Sequence, residues 1–413
     1  MTDDPTQRAH AAADAVGAGL AGIVGIVRDT QAAVVRRTQQ HLPTTADAVS
    51  AAQGSITDGV YAVVSTAHRH LPGLVARAWT TLSPPDPAAP VPGWQRSAQA
   101  TGNGLWGDRL ERDHAGLAIE MAVRRDGADV PLTDEGLAAA FPSATGHVVL
   151  FVHGLVEDET CWQRPHESLE GGYGDRLRGS GLTPVDLRYN SGLRISENGR
   201  RLACLVDALA AHWPVPVESI SFVGHSMGGL VARSAGHAAA ESGSPWVDLV
   251  HAVVTLGTPH HGAPLEKAVH VLDWALRRHP DTEPLGRPLA ARSAGIADLR
   301  FGAVLDSERS DPDRLLHDAT SDVALLPHVT YYWVAASLTP DPDHPWGRLL
   351  GDGLVRYPSA SGTGRRPRLD GDPANGLHVG GVGHLDLLNH PDVDERLREW
   401  LDPARRSPDR PGR

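Results

Sequence analysis

A serine flanked by glycines stands where a strand pattern changes to a helix pattern. Residues 224–228 read Gly-His-Ser-Met-Gly; the apolar run at 220–223 predicts a strand, and residues 227–240 predict a helix. A sharp strand-to-helix turn of this kind exposes the serine hydroxyl beside a helix N-terminus, whose partial positive charge favours a developing oxyanion. The pattern therefore predicts Ser226 as a nucleophile. The other residues of this predicted nucleophile elbow are Gly224, His225 and Gly228.

A serine hydroxyl is a poor nucleophile at neutral pH and needs a general base. After a turn of this type the acid and then the histidine follow the serine along the chain. His384 is best placed, because it follows a predicted short strand at 377–380 and precedes a predicted helix at 391–401. His378 lies within that strand, and His390 precedes a proline at the helix start. We predict His384 as the base, with activity rising with pH through one ionisation near ~6–7.

The acid that orients the base should lie between the serine and the histidine. Asp352 stands between two glycines on a predicted tight loop after the predicted strand 329–335, so its carboxylate has the freedom to point at an imidazole. Asp322, before that strand, and Asp372, in a long loop rich in glycine and arginine, are the alternatives. We predict Asp352 as the acid.

Two backbone N–H groups should stabilise the oxyanion. One belongs to Met227, directly after the nucleophile, and the other to the loop that follows the predicted strand 148–152. In that loop we expect the Leu155 N–H to be the donor. We expect His153 and Gly154 to shape the loop, because a catalytic base should follow the acid in the chain.

The elements that must position these residues alternate between strand and helix patterns. Such alternation predicts an α/β protein with a mostly parallel sheet covered by helices on both faces. Residues 117–131 predict an antiparallel hairpin that turns at Asp126-Gly127. The remaining predicted elements are strands at 185–189 and 250–256 and a helix at 197–212.

The flanking regions differ from this central part. Two apolar stripes, at 9–40 and 46–71, predict an N-terminal helical hairpin, which we expect to dock on the catalytic body, on a partner chain or on a membrane surface. The predicted divisions are the hairpin at 1–82, a Pro-rich linker at 83–93, the main domain at 94–402 and a disordered tail at 403–413.

Composition restricts the function classes. The chain has 413 residues and a formal net charge of −12 without a basic stripe, so nucleic acid is not an expected partner. Its two cysteines favour free thiols in a reducing compartment. No secretory signal is evident, and residues 11–27 are too short and too interrupted for a membrane span. We expect a cytoplasmic protein, with peripheral membrane binding or self-association through the hairpin as an alternative.

Several motifs together resemble the α/β-hydrolase lipases and esterases, in particular bacterial lipase-like proteins related to the GPI inositol-deacylase group. They appear in family order over roughly 147–401. The matching segments are 151–155, 186–192, 224–229, 255–262, 351–355 and 383–386. The resemblance implies an α/β-hydrolase fold, a Ser226–Asp352–His384 triad and no organic cofactor.

The same resemblance implies a lid or cap insertion at about 258–328. Leu272, Trp274 and Leu276 would line an acyl pocket there or serve only helical packing. Some bacterial lipases bind a structural calcium through an aspartate placed as Asp386 is here. Such a site needs a second aspartate ligand upstream of the acid, and none stands where that pattern requires it. We therefore expect no metal site and expect Asp386 to cap the last helix.

The resulting functional prediction is a hydrolase acting on small-molecule or lipid carboxylic esters. An acyltransferase or thioesterase using the same triad is one alternative. A binding protein with an idle site, acting through the N-terminal hairpin, is another. Acyl length and alcohol are not specified by these motifs.

Overall fold

A computed structural model describes residues 93–113, 118–262, 293–300, 302–306, 323–341, 343–363, 369 and 372–405. Several predictions lie outside these residues. They are the helical hairpin within 1–82, the Pro-rich segment up to 92, most of the insertion at 258–328 with its three pocket residues, Asp322, and residues 406–413 of the tail.

Eight strands form one sheet in the order β2-β1-β4-β3-β5-β6-β7-β8. All neighbouring pairs from β4 to β8 are parallel, whereas β1 is antiparallel to both β2 and β4. This is the predicted α/β-hydrolase fold. The strands are β1 Ala122–Arg125, β2 Ala128–Asp129, β3 His147–Val152, β4 Thr183–Arg188, β5 Ser219–His225, β6 Val250–Leu256, β7 Thr330–Ser337 and β8 Gly376–Gly380.

Nine α-helices lie within the described residues. They are α1 Gly93–Asp113, α2 Asp134–Ala140, α3 Tyr173–Arg178, α4 Ile195–Ala211, α5 Met227–Ser242, α6 Ala294–Leu299, α7 Pro345–Leu350, α8 Tyr357–Ala360 and α9 Pro391–Trp400.

The central strand β3 is apolar on both faces because both faces are covered. Val148, Leu150 and Val152 belong to one core, and Val149 and Phe151 to the other, as the two-residue period of a strand requires. Helices α4 and α5 cover the first face, and α3 and α9 cover the second. The helix residues involved are Leu202, Val206, Leu230 and Val231 on one side and Tyr173, Leu177, Leu397 and Trp400 on the other.

The edge hairpin turns where the sequence predicted. Asp126 and Gly127 both have positive φ, 49° and 81°, the backbone of a tight two-residue connection. At the other end of the chain, Pro403–Arg405, placed in the disordered tail by the sequence, form a short 3₁₀ turn. In the described part of the chain, every helix is too short or too polar to cross a bilayer.

Helix α1 is an element that the sequence patterns did not indicate. It carries several glycines and lacks an apolar stripe. The hydroxyl of Ser293 donates to the Gly104 carbonyl at 2.6 Å, and the Asn190 amide donates to the Gly107 carbonyl at 3.1 Å. Thus α1 packs on the loops at the carboxyl edge of the sheet.

Candidate active site

Ser226 is the single residue between a strand and a helix. Strand β5 ends at His225 and α5 begins at Met227, so the chain reverses direction at Ser226 with φ 52° and ψ −119°. A positive φ in a non-glycine residue costs on the order of 1–3 kcal/mol and persists where surrounding structure enforces it. Here the Ser226 N–H donates to the Leu256 carbonyl at 2.8 Å. The side chain is half-buried at the carboxyl edge of the sheet.

The two glycines of the turn are required by close approach. A Cβ on Gly224 would collide with the backbone of Gly229, and one on Gly228 would collide with the Val152 carbonyl oxygen. The first turn of α5 therefore lies directly against the ends of β3 and β5. This proximity brings Ser226 next to the loop that leaves β3.

His384 and Asp352 form a buried pair. Nδ1 of His384 lies 2.7 Å from Oδ2 of Asp352, and the exposed fractions of the two side chains are 2% and 0%. The second carboxylate oxygen, Oδ1, accepts from the N–H groups of Leu354 and Val355 at 2.9 and 2.8 Å. Because Oδ1 is held by the turn, Oδ2 is aimed at the imidazole.

The surroundings of His384 favour its charged form. Burial alone lowers the pKa of His384, but the charge of Asp352, the hydrogen bond to it and the charge of Glu157 outweigh burial and raise the pKa above its ordinary value. In the neutral ring Nδ1–H donates to the carboxylate, so Nε2 carries the lone pair. That tautomer has the form that a general base requires.

Gly257 fixes where the His384 ring lies relative to the serine turn. It directly follows β6, has φ 60°, and a Cβ there would be 2.9 Å from Cε1 of His384. The preceding residue, Leu256, accepts the N–H of Ser226. The ring of His384 and the backbone of Ser226 thus meet at the same end of β6.

The alternative bases and acids have other partners. His378 lies on β8, with Nε2 2.7 Å from the Ser337 hydroxyl, and His390 caps α9 by accepting the Asp392 N–H. Asp372 accepts the Ala374 N–H in an exposed 3₁₀ turn. Each of these contacts directs the side chain elsewhere than to the His384–Asp352 pair.

His153 shapes the loop after β3. Its ring stacks on Tyr189 with a centroid separation of 4.3 Å, Nε2 accepts the Tyr189 N–H at 3.3 Å, and Nδ1 lies 2.9 Å from the Gly154 carbonyl. The Tyr189 hydroxyl donates back to the His153 carbonyl at 2.7 Å. Burial lowers the pKa of His153, which keeps the ring neutral. Both ring nitrogens are occupied by this local structure.

The N–H groups of the loop after β3 differ in whether they have a hydrogen-bond acceptor. That of Gly154 donates to Glu157 at 2.7 Å, and that of Val156 donates to the Ser191 hydroxyl at 3.1 Å. The N–H of Leu155, between them, has no acceptor within the described part of the chain. Val156 has φ 59°, an uncommon conformation for a β-branched residue. The Leu155 N–H thus differs from those of Gly154 and Val156, which are both used within the protein.

Met227 offers a second unused donor. As the first residue of α5 its N–H has no intrahelical acceptor, and no other described residue accepts it. The geometry therefore leaves the two N–H groups predicted from the sequence, those of Leu155 and Met227, available to an anionic oxygen.

Glu157 is a site residue that the sequence analysis missed. Its Oε2 lies 3.0 Å from Nδ1 of His225, which is fully buried in the nucleophile elbow. The two residues are 68 positions apart, and no local pattern joins them. A buried histidine inside the pentapeptide was the available signal, because such a ring needs polar partners.

Asp386 has a capping role at a different place from the one predicted. Its Oδ2 accepts the Gly383 N–H at 2.8 Å and so begins the 3₁₀ turn His384–Leu388 that carries the predicted base. The last helix, α9, is capped by His390 instead. Among the described residues, no cluster of three or more histidine, cysteine, aspartate or glutamate side chains is arranged to hold a metal ion.

Comparison with known proteins agrees with this architecture. Residues 206–279, which include the Ser226 turn, match a sequence family described as a PGAP1-like alpha/beta domain. A search of curated protein sequences finds no match.

Similar solved structures include two lipase-like proteins and a thioesterase. Lipase BlEst2 of Bacillus licheniformis is 18% identical, covering 68% of this chain and 97% of that chain, with a TM-score of 0.39. A lipase-esterase related protein of Clostridium acetobutylicum is 13% identical, with coverages of 62% and 95% and a TM-score of 0.33. The RedJ thioesterase of Streptomyces coelicolor is 17% identical, with coverages of 63% and 91% and a TM-score of 0.34.

Similarities this low carry no argument about reaction or substrate. The predicted resemblance to α/β-hydrolase lipases and esterases is confirmed at the level of the fold, by the sheet order and by the matched segment around Ser226.

Proposed function

We propose that the protein is a serine hydrolase that cleaves carboxylic esters through an acyl-enzyme on Ser226. The observation that carries this proposal is the buried His384–Asp352 pair, whose ring lies at the end of β6 beside the strained Ser226 turn. Nucleophilic acyl transfer requires a nucleophile, a base and a group that orients the base, and we assign these roles to Ser226, His384 and Asp352.

In the proposed reaction Ser226 Oγ attacks the ester carbonyl and gives its proton to Nε2 of His384. The protonated imidazole then passes that proton to the leaving alcohol, and water cleaves the acyl-enzyme by the reverse path. Asp352 holds the Nδ1–H tautomer and stabilises the charged ring. The N–H groups of Leu155 and Met227 stabilise the oxyanion, and the scheme uses no metal or organic cofactor.

A series of p-nitrophenyl esters from acetate to palmitate tests the proposal and determines which acyl chain length is preferred. Ser226→Ala should lose on the order of 10⁶ in kcat. Ser242→Ala is the matched control, because this serine is exposed at the far end of the same helix and should retain full turnover. Substantial turnover by Ser226→Ala would contradict the proposal.

Product analysis separates hydrolysis from the related reactions. With an added alcohol or thiol, free acid as the main product supports hydrolysis. Transfer of the acyl group to the added alcohol, or a strong preference for thioesters, would replace it with an acyltransferase or thioesterase. Failure of every ester and thioester to react would favour an idle site.

A further inference from the structure

Glu157 and His225 form a second buried pair behind the proposed triad. Oε2 of Glu157 lies 3.0 Å from Nδ1 of His225, and the exposed fractions of the two side chains are 13% and 0%. Burying both groups costs desolvation free energy unless each finds hydrogen-bond partners. A buried pair of this kind therefore needs a structural or functional reason.

The pair joins three separate segments of the site. On one side, Oε2 of Glu157 also accepts the Gly154 N–H at 2.7 Å, which ties it to the loop that carries Leu155. On the other side, Nε2 of His225 lies 3.3 Å from the backbone carbonyl of His384. The connection therefore runs from the oxyanion loop, through the residue before the nucleophile, to the residue proposed as base.

Gly154 and His384 lie close to the pair. A Cβ on Gly154 would lie 2.8 Å from Oε2 of Glu157 and 3.2 Å from Nδ1 of His225. The rings of His225 and His384 have a centroid separation of 4.8 Å. The pair is therefore in contact with the residue that precedes the Leu155 donor and with the residue proposed as base.

Glu157 also contributes charge. Burial opposes its ionisation, but the charge of the His225 ring, the hydrogen bond to it and the Gly154 N–H outweigh burial and lower the pKa of Glu157 to about 2. The surroundings of Glu157 thus favour its anionic form. Asp352 and the His225 ring contact His384, and the negative charge of Glu157, behind His225, adds to that of Asp352 in raising the pKa of His384.

We infer that Glu157 and His225 are positioning residues that hold the oxyanion loop and the proposed base in register with Ser226. Neither residue exchanges a proton with the substrate; each acts through the Leu155 donor and through His384. This inference rests on the proposed function, since it concerns the activation of the same serine.

The test uses the rate of covalent labelling by a fluorophosphonate, measured against pH on the full-length protein. Glu157→Gln keeps the side-chain size and removes the charge, whereas Glu157→Asp keeps the charge and shortens the reach. Asp158→Asn is the matched control, because Asp158 is a neighbouring buried acid whose carboxylate bonds to Thr160. Circular dichroism and thermal unfolding verify the fold of each variant.

Glu157→Gln should label on the order of 10- to 100-fold more slowly, because small displacements of reacting groups have effects of this size. The inflection in its labelling rate against pH should move to lower pH, because the charged form of His384 loses a stabilising negative charge. Glu157→Asp should label slowly with the inflection of the unaltered protein, and Asp158→Asn should match the unaltered protein in both respects. If Glu157→Gln does not fold, His225→Gln should show the slow labelling instead.

Labelling of Glu157→Gln at the original rate with an unshifted inflection would overturn the inference, as would an equal shift in Asp158→Asn. In both cases the labelled full-length protein would still support the proposed nucleophile. If the unaltered protein itself failed to label, the proposed function would be wrong rather than the role of Glu157.

Discussion

His384 makes two hydrogen bonds to Asp352, one from its ring and one from its backbone. The ring Nδ1 lies 2.7 Å from Oδ2, and the backbone N–H donates to the Asp352 carbonyl at 3.1 Å. The acid therefore fixes both the turn that carries the histidine and the orientation of its ring. A substitution that preserves the backbone contact separates these two effects.

Asp352→Asn is such a substitution. A carboxamide NH₂ facing Nδ1 would favour the tautomer with the proton on Nε2, which is unable to accept the serine proton. We expect kcat to fall by about 10⁴, the size of effect associated with a wrong tautomer in such triads, while the protein stays folded. Asp372→Asn, altering the rival acid in its exposed turn, should leave kcat unchanged. Equal losses in the two variants would contradict the assignment of Asp352.

The pH dependence of kcat/KM distinguishes the two candidate bases. The base must be neutral, so activity should rise as pH passes through its pKa. The environment raises the pKa of His384, so the inflection should lie above the ordinary value of about 6.5. Burial lowers the pKa of His378, so an inflection below that value, lost in His378→Gln, would instead indicate His378.

Two glycines with positive φ provide a matched test of the site geometry. Alanine at either Gly257 or Gly243 should cost roughly 1–2 kcal/mol of stability for its backbone conformation. Only at Gly257 would the new methyl group press on the His384 ring; at Gly243 nothing lies within 4 Å. We expect Gly257→Ala to lose most ester turnover and Gly243→Ala to retain it, with the larger decrease in thermal midpoint in Gly257→Ala because of the contact with His384. Full activity in Gly257→Ala would place the His384 ring elsewhere.

Removal of residues 1–82 tests the division between the predicted hairpin and the catalytic part. The described site residues all lie beyond residue 93, and α1, whose Gly104 packs on Val156 in the loop after β3, would remain. We expect turnover of a soluble short-chain ester to persist, with a change in oligomeric state or in activity on insoluble lipid. Size-exclusion elution and initial rates are the measurements. Complete loss of soluble-ester turnover by the folded truncated protein would mean that the hairpin contributes to the site.

The strands were predictable because their signal is local. Strand β3 is apolar at five consecutive positions, since both faces are buried, and the same holds for most of β6. The Ser226 turn was predictable for the same reason: its glycines, strand and helix are adjacent in sequence. His384 and Asp352 were selected among several rivals by chain order and by their positions on predicted loops after strands.

The features that were missed depend on contacts between distant segments. The Glu157–His225 pair forms only when the loop after β3 meets the elbow. Helix α1 lacks an apolar stripe, and its Gly104 lies against Val156, a contact between distant segments. Val156 itself has a backbone conformation that its side chain disfavours, so neither propensity nor periodicity indicates it.

The most direct test of the central proposal is to locate the fluorophosphonate adduct by tandem mass spectrometry of digested protein. The proposed acyl-enzyme requires one adduct per chain, on Ser226, with labelling abolished in Ser226→Ala and retained in Ser242→Ala. An adduct on any other residue, or undiminished labelling of Ser226→Ala, would contradict the assignment of Ser226 as the nucleophile.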